Sequence, residues 1–407
     1  MTQHAPKKAL VIGAGIGGLT AAISLRRAGL DVEVHERAGE LRAAGSGLSV
    51  MSNAIGALDS LGLGIDLAAH GQTLESYHVR TAAGRPIREF PFPEIIDRIG
   101  IPSVLITRPA LQKALLDAAE GIPIRTGAVA TGFESEEDGV RVAFEDGTEA
   151  HGDVLIGADG FHSVIRRQLV GPAPEESQDS GYVCYLGLVP FSHPNFPPGS
   201  VVHFWGSGKR FGLVDMGGGT LYWWGTENMP TERSHDWQGT KDDVLASYEG
   251  WADEVRQAIS STPEESIIAV PSRDRAFLDR WGKGPVTLLG DAAHPMLTSL
   301  GQGSGMAIED AVVLGRCLES ATDLPAALRR YEDERRERTS GMVAASRRLS
   351  SFEQATGILR PLRDAFFRFL PRASLIKMLE DSLAFPIREQ QGSDKGEQQT
   401  GKPVATS

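Results

Sequence analysis

Cysteine is nearly absent from this 407-residue chain: Cys184 and Cys317 stand far apart, with no paired spacing between them. That excludes a disulfide framework and a Cys/His zinc cluster, so no metal site is expected and a cytoplasmic location is the default. Basic charge is short as well, with 41 Lys and Arg against 53 Asp and Glu and a formal net charge of −12. A nucleic-acid surface needs a concentrated basic face, so no nucleic-acid partner is expected. Long apolar runs are missing too; none approaches the roughly 18 residues that a membrane span requires. The two lysines and apolar run of "KKALVIGAGIGGLTAAISL" mimic a secretory leader, but the run passes through a patterned glycine turn and is followed by a strand. Internal repeats are also lacking.

Glycine, by contrast, is plentiful at 47 residues. The stretch "ALVIGAGIGGLTAAISLRRAGLDVEVHER" reads as a buried strand (Ala9 to Ile12), a turn, a helix and a second strand (Val32 to His35). In this βαβ context Gly13 permits the turn, Gly15 lets backbone approach a pyrophosphate, and Gly18 lets helix and strand pack closely. The helix N-terminus then offers unpaired N–H groups to phosphate. Glu36, 23 residues after Gly13, stands where an acid accepts hydrogen bonds from an adenosine ribose. Two later stretches repeat the theme. "DVLIGADGFHSVIRRQL" gives a strand, a glycine turn around Asp159 and a helix, and "GPVTLLGDAAHPM" gives a strand ending in Asp291. Strands that each end in a glycine turn beside a carboxylate bring several loops to one sheet edge, where ligands sit in open α/β sheets.

Taken in order, GxGxxG with Glu36, "GADGFHSVIR" and "GDAAHPMLTSLGQGSGMAIEDA" resemble the three fingerprints of the single-component FAD-dependent monooxygenases of the aromatic-hydroxylase (p-hydroxybenzoate hydroxylase-like) family, from about Lys8 to about Arg338. The resemblance implies FAD as cofactor, with Asp291 on the ribityl side and Gly301, Gln302 and Gly303 near the ring. It further implies Glu36 and Arg37 on the adenosine side, Ser49 of "GSGLSV" beside the flavin, Arg108 of "ITRPALQKAL" reaching FAD, and Val129 passing the adenine. Asp159 is read first as a turn residue bonding its own backbone, with a further part in receiving FAD and nicotinamide. His162 and His294 are read as solvated or backbone-satisfied.

The reaction so implied is hydroxylation or epoxidation: NAD(P)H, bound transiently, reduces the flavin, O₂ forms a C4a-hydroperoxide, and one oxygen passes to an aromatic or polycyclic/alkenyl small molecule. Family members commonly carry a proline where this chain has Thr298, whose hydroxyl could bind substrate. Arg210 and Tyr222 are the catalytic candidates, since a guanidinium can hold an anionic substrate and a phenol can guide its proton. Tyr222 and Trp224 share one sheet face and are expected to line the pocket. The alternatives are a flavin oxidase, reductase or halogenase on the same scaffold, although the WxWxIP signature of halogenases is absent, or a non-catalytic flavin-binding regulator.

The expected fold is α/β: a Rossmann-type FAD-binding domain (1–76, 104–175 and 275–340) interrupted by an antiparallel β-sheet substrate domain (77–103 and 176–274). C-terminal helices (341–387) and a polar, disordered tail (388–407) follow. "AALRRYEDERRERTSGMVAASRRL" reads as a long charged helix with a solvated face, lying over the FAD domain. "ILRPLRDAFFRFLPRASLIKMLEDSLAFP" is amphipathic; a membrane surface is one reading, and packing over the pocket or at a dimer contact is favoured. Membrane contact is therefore not expected, and the chain is read as a monomer or homodimer.

Overall fold

Ala9 to Ile12 form a run of apolar side chains that are all buried, as a strand covered on both faces requires. In the computed structural model, which describes residues 7–41, 46–171 and 177–385, this run is the strand Lys8–Ile12 at the centre of a five-stranded parallel sheet. Asp31–His35 and then Ile124–Arg125 pair on one side of it, Val154–Gly157 and then Val286–Leu288 on the other. The chain thus leaves the central strand in one direction and returns on the opposite side. Such a reversal opens a crevice at the carboxyl end of the central strand, and Gly13 follows that end directly.

The second sheet has seven strands, in the order Ile268–Arg275, Ser177–Pro190, Thr220–Asn228, Lys209–Asp215, Ser200–Trp205, Ser76–Thr81 and Pro86–Phe90. Its pairs are antiparallel except that Ser200–Trp205 runs parallel to Ser76–Thr81, a departure from the purely antiparallel sheet expected. Side-chain alternation sorts its aromatic residues onto two faces. Phe204, Phe211, Leu221 and Trp223 pack under the helices Lys241–Ser247 and Asp253–Ser261, whose Val244, Val255 and Ile259 complete that core. Tyr77, Trp205, Tyr222 and Trp224 face the other way, toward Met51, Leu105 and the C-terminal helices.

Those helices correct two expectations. Leu324–Glu353 is one helix of 30 residues, so it runs straight through position 340, where a division was expected. It lies over the five-stranded sheet, with Tyr331 donating to the Leu288 carbonyl, but its charge is not all solvated, since Glu332, Arg335 and Glu353 are buried. Two shorter helices, Leu359–Phe369 and Arg372–Leu383, follow. The tail expected at 388–407 lies outside the described residues. Among the described residues no helix is long and apolar enough to cross a membrane.

Candidate active site

The first glycine loop is shaped by backbone contact. Gly13 has φ of +107° and donates its N–H to the His35 carbonyl at 2.8 Å, while a Cβ at Gly18 would lie 1.9 Å from the Gly13 oxygen. Only hydrogen fits there. The helix it opens, Ile16–Arg27, has neither a side-chain cap nor an acid in its first turn, so its N-terminus stays bare for an anion. Glu36 lies at the end of the neighbouring strand and accepts hydrogen bonds from the N–H groups of Ala14 at 2.7 Å and Ala38 at 2.9 Å. Ala14, Gly15, Glu36, Arg37, Ser46 and Arg108 line a cleft of about 440 Å³. Gln112, one helical turn beyond Arg108, lines it too and donates to the Ala14 carbonyl at 3.2 Å. Its i, i+4 spacing from Arg108 was the signal that could have found it.

The other two loops close on the first. The Cβ position of Gly13 is 2.4 Å from the Ala158 oxygen, which seats the Asp159 turn against it. Asp159 Oδ2 accepts from the Val164 N–H at 2.7 Å and so caps the helix Val164–Val170, while Oδ1 is buried without a hydrogen-bond partner. Burial raises this carboxyl above its ordinary range. Arg166, buried one turn later, donates to the carbonyls of Ala292 at 3.1 Å and Ala293 at 2.8 Å. It thereby ties the second fingerprint to the third.

Asp291 sits in the 3₁₀ turn Gly290–Ala292, exposed but in a recess tight enough that desolvation raises its carboxyl against the pull of His294 and Arg108. A Cβ at Gly303 would meet nothing nearer than Met296 Cγ at 3.9 Å and Asp291 Oδ1 at 4.0 Å. The helix that Gly303 opens, Gly303–Leu318, again has no side-chain cap and no acid in its first turn. Gly301, at φ of +63°, turns the chain into it. The Gln302 side chain is buried and exchanges hydrogen bonds with the Asn53 amide at 3.0 and 3.3 Å, so any contact with a ring would come from its backbone. Contrary to expectation, the His294 side chain is neither solvated nor held by backbone: it is buried with Nε2 2.6 Å from the Asp310 carboxylate.

The aromatic face of the seven-stranded sheet meets this loop cluster. A Cβ on Gly47 would strike the Tyr222 ring at 2.4 Å, so Tyr222 lies against the strand Gly47–Val50 that carries half-buried Ser49. Burial pushes the Tyr222 phenol far above its ordinary value, and the opposing pull comes from Arg108. Arg108 therefore acts on both Tyr222 and Asp291. Arg210 does not present the open charge expected of it. It is buried, paired with Glu353 of the long helix, stacked 5.2 Å over Trp224, and within 3.4 Å of Ser299 Oγ. Glu353 lies 143 residues away, and nothing local in the sequence announces the pair. Thr298 is exposed, with its carbonyl accepting from the Gly301 N–H at 2.9 Å. Val129 is half-buried and its carbonyl accepts from the Glu145 N–H at 2.9 Å; its neighbour Ala128 donates to Glu36. No group of His, Cys, Asp and Glu among the described residues could hold a metal ion.

Known proteins place this arrangement. The profile of the FAD binding domain family matches residues 7–346. Aurachin C monooxygenase/isomerase of Stigmatella aurantiaca is 38% identical over 346 residues, which cover 85% of this chain and 89% of that protein. FAD-dependent urate hydroxylase of Klebsiella pneumoniae is 34% identical over 342 residues, covering 84% and 89%. The crystal structure of Klebsiella pneumoniae HpxO complexed with FAD and uric acid superposes with a TM-score of 0.86 at 31% identity, over 93% of this chain and 96% of that one.

Proposed function

Because the chain belongs to the FAD binding domain family and is an FAD-dependent monooxygenase, as its relatives are, we propose that it spends NAD(P)H to insert one atom of O₂ into an uncharged aromatic or alkenyl small molecule. What supports this reading is that two helix N-termini are bare, that Gly303 opens its helix beside Asp291, and that Arg108, which lines the first-loop cleft, acts on both Asp291 and Tyr222. The residues present suit FAD: Gly15 and Gly303 face space that no protein atom fills closely, and Asp159 keeps a buried oxygen unpartnered. When bound and reduced, FAD supplies the activation of O₂.

The protein's part is placement. The Ile16–Arg27 N-terminus would receive the pyrophosphate, with Glu36 and Arg37 on the ribose side and Val129 by the adenine. Asp291 would accept ribityl hydroxyls, while Ser49, Arg108 and the backbone of Gly301 to Gly303 border the ring. Unpaired N–H groups there favour the negative charge of a reduced flavin. Tyr222, Trp224 and Thr298 would wall the substrate and keep water from it. Since Glu353 neutralises Arg210, that wall suits a neutral ring better than an anion, and Arg210 becomes a residue that positions the flavin loop through Ser299. Relatives named for urate and for aurachin C suggest the first compounds to try, and urate, an anion near neutral pH, is expected to be the poorer of the two.

Turnover under ¹⁸O₂ with NADH or NADPH and a panel of quinolines, aminohydroxybenzoates and urate tests this. One labelled oxygen per product molecule is expected. Unlabelled product or peroxide alone would make the protein an oxidase or reductase, and the absence of any NAD(P)H consumption would favour a regulator.

Gly303→Val probes ring placement separately. The added methyls enter space beside Asp291 rather than protein, so FAD should be retained in part. A reacting centre displaced by about 1 Å should lower the ratio of product to NAD(P)H on the order of tenfold, with the balance appearing as hydrogen peroxide. An unchanged ratio in the FAD-saturated variant would show that this helix start does not border the reacting ring.

A further inference from the structure

The helix Leu359–Phe369 is inside out. Arg363 is fully buried, its guanidinium 5.0 Å over the Trp205 ring and its Nη1 donating to the Glu353 carbonyl at 2.6 Å. Phe367 packs beside it against Trp205 and Phe90. The rest of the apolar side chains point to solvent: Ile358 is 79% exposed, Leu359 60%, Leu362 61%, Phe366 55% and Phe369 78%. At 3.6 residues per turn these positions form one continuous stripe. Phe352, with its ring 5.7 Å from Phe366, and Met378 on the next helix extend it. Among the described residues, every exposed large hydrophobic side chain but Ile268 and Val270 belongs to this segment. A contiguous apolar patch of this kind marks a contact surface.

Charge identifies the partner. Residues 354–379 carry five basic side chains (Arg360, Arg363, Arg368, Arg372 and Lys377) and one acid, Asp364, in a chain whose net charge is −12. Asp364 is bound to Arg363, Arg372 is paired with Glu94 at 2.7 Å and Lys377 with Asp381 at 3.3 Å, which leaves Arg360 and Arg368 beside the stripe without an acidic partner among the described residues. A second copy docked by two-fold symmetry would set this basic rim against itself. From Arg388 onward the largest hydrophobic residue in the sequence is Val404. An anionic lipid surface satisfies both features at once: the stripe enters the headgroup boundary while the arginines meet phosphate. We infer that the Leu359–Phe369 helix and the start of the next one dock flat on an anionic bilayer, with Phe366 and Phe369 as anchors. The inner face, with Phe367, packs on the aromatic sheet face as periodicity favoured, and the proposal concerns the outer stripe.

Flotation of the full-length, FAD-loaded protein tests this, using vesicles of phosphatidylcholine alone and vesicles with an equal amount of phosphatidylglycerol. Binding to the anionic vesicles alone, released by high salt, is expected. Phe366→Ser with Phe369→Ser should weaken it on the order of tenfold or more, and Arg360→Gln with Arg368→Gln should remove its dependence on lipid charge. Phe366, Phe369 and Arg368 are exposed and Arg360 is half-buried, so the flavin absorbance and sedimentation of the variants should match the parent. Failure to float with anionic vesicles, or undiminished binding by both variants, would overturn the proposal. So would a parent dimer that the phenylalanine variant converts to monomer, since the stripe would then belong to a second copy.

Discussion

Replacing Arg335 by methionine is expected to destabilise the protein by about 3–5 kcal/mol, the cost of leaving buried charge without its partner. Arg335 donates from Nε to Asp310 at 2.7 Å and from Nη1 to Glu309 at 2.8 Å, and both carboxylates are completely buried. Glu309 keeps Arg338 and Asn53, and Asp310 keeps His294 and the Gly290 N–H, so the loss is partial rather than total. Burial pushes the Asp310 carboxyl up, but His294 and Arg335 outweigh it and hold the group below its ordinary value. A depressed carboxyl contributes stability above its unfolded pKa of about 4 and loses it as pH falls through the folded value. The penalty of the substitution should therefore be largest near neutral pH and shrink on acidification. Urea unfolding of parent and variant at neutral and acid pH measures both parts; equal midpoints at neutral pH would contradict the burial argument.

Gly18→Val should abolish useful FAD binding. The atom that its Cβ would meet is the Gly13 carbonyl oxygen at 1.9 Å, a backbone atom that moves only if the loop moves. Losing two charge-assisted hydrogen bonds from that loop to a pyrophosphate costs about 3 kcal/mol or more, which is on the order of a hundredfold in affinity. Gly15→Ala serves as the contrast, because no atom lies within 4 Å of its Cβ position. That variant should melt like the parent without FAD and lose affinity only through crowding of the bound cofactor. Titration of stripped protein with FAD, followed by flavin fluorescence, compares the two. A Gly18 variant that binds as tightly as Gly15→Ala would show the loop to be more pliant than its packing indicates.

The cofactor-binding half was legible because its determinants are local. A strand, a glycine turn and a helix N-terminus are written in consecutive residues, and Gly13, Asp159 and Asp291 each stand right after the strand that delivers them. Buried ion pairs are written otherwise. Arg210 with Glu353, and Arg335 with Glu309 and Asp310, join residues 143, 26 and 25 positions apart; Arg210 alone reads as a charge open to substrate and the others as surface charge. Periodicity assigns charge to the outside, so it also misjudged the long helix and the direction of Leu359–Phe369, where arginine lies inside and phenylalanine outside. The Gln302 side chain was lost to inference for the same reason, since its partner Asn53 is 249 residues earlier.

The parallel sheet also sets an order on biosynthesis. Its edge strand Val286–Leu288 and the Asp291 turn leave the ribosome long after Gly13; at roughly 5–20 residues per second the gap is about 15–55 s. The strands of the seven-stranded sheet, ending at Arg275, have all emerged before then. The nascent chain can thus close its substrate-side sheet while the Val154–Gly157 strand still presents an unpaired edge. The five-stranded sheet is therefore completed last, when Val286–Leu288 reaches that edge and brings the Asp291 turn with it.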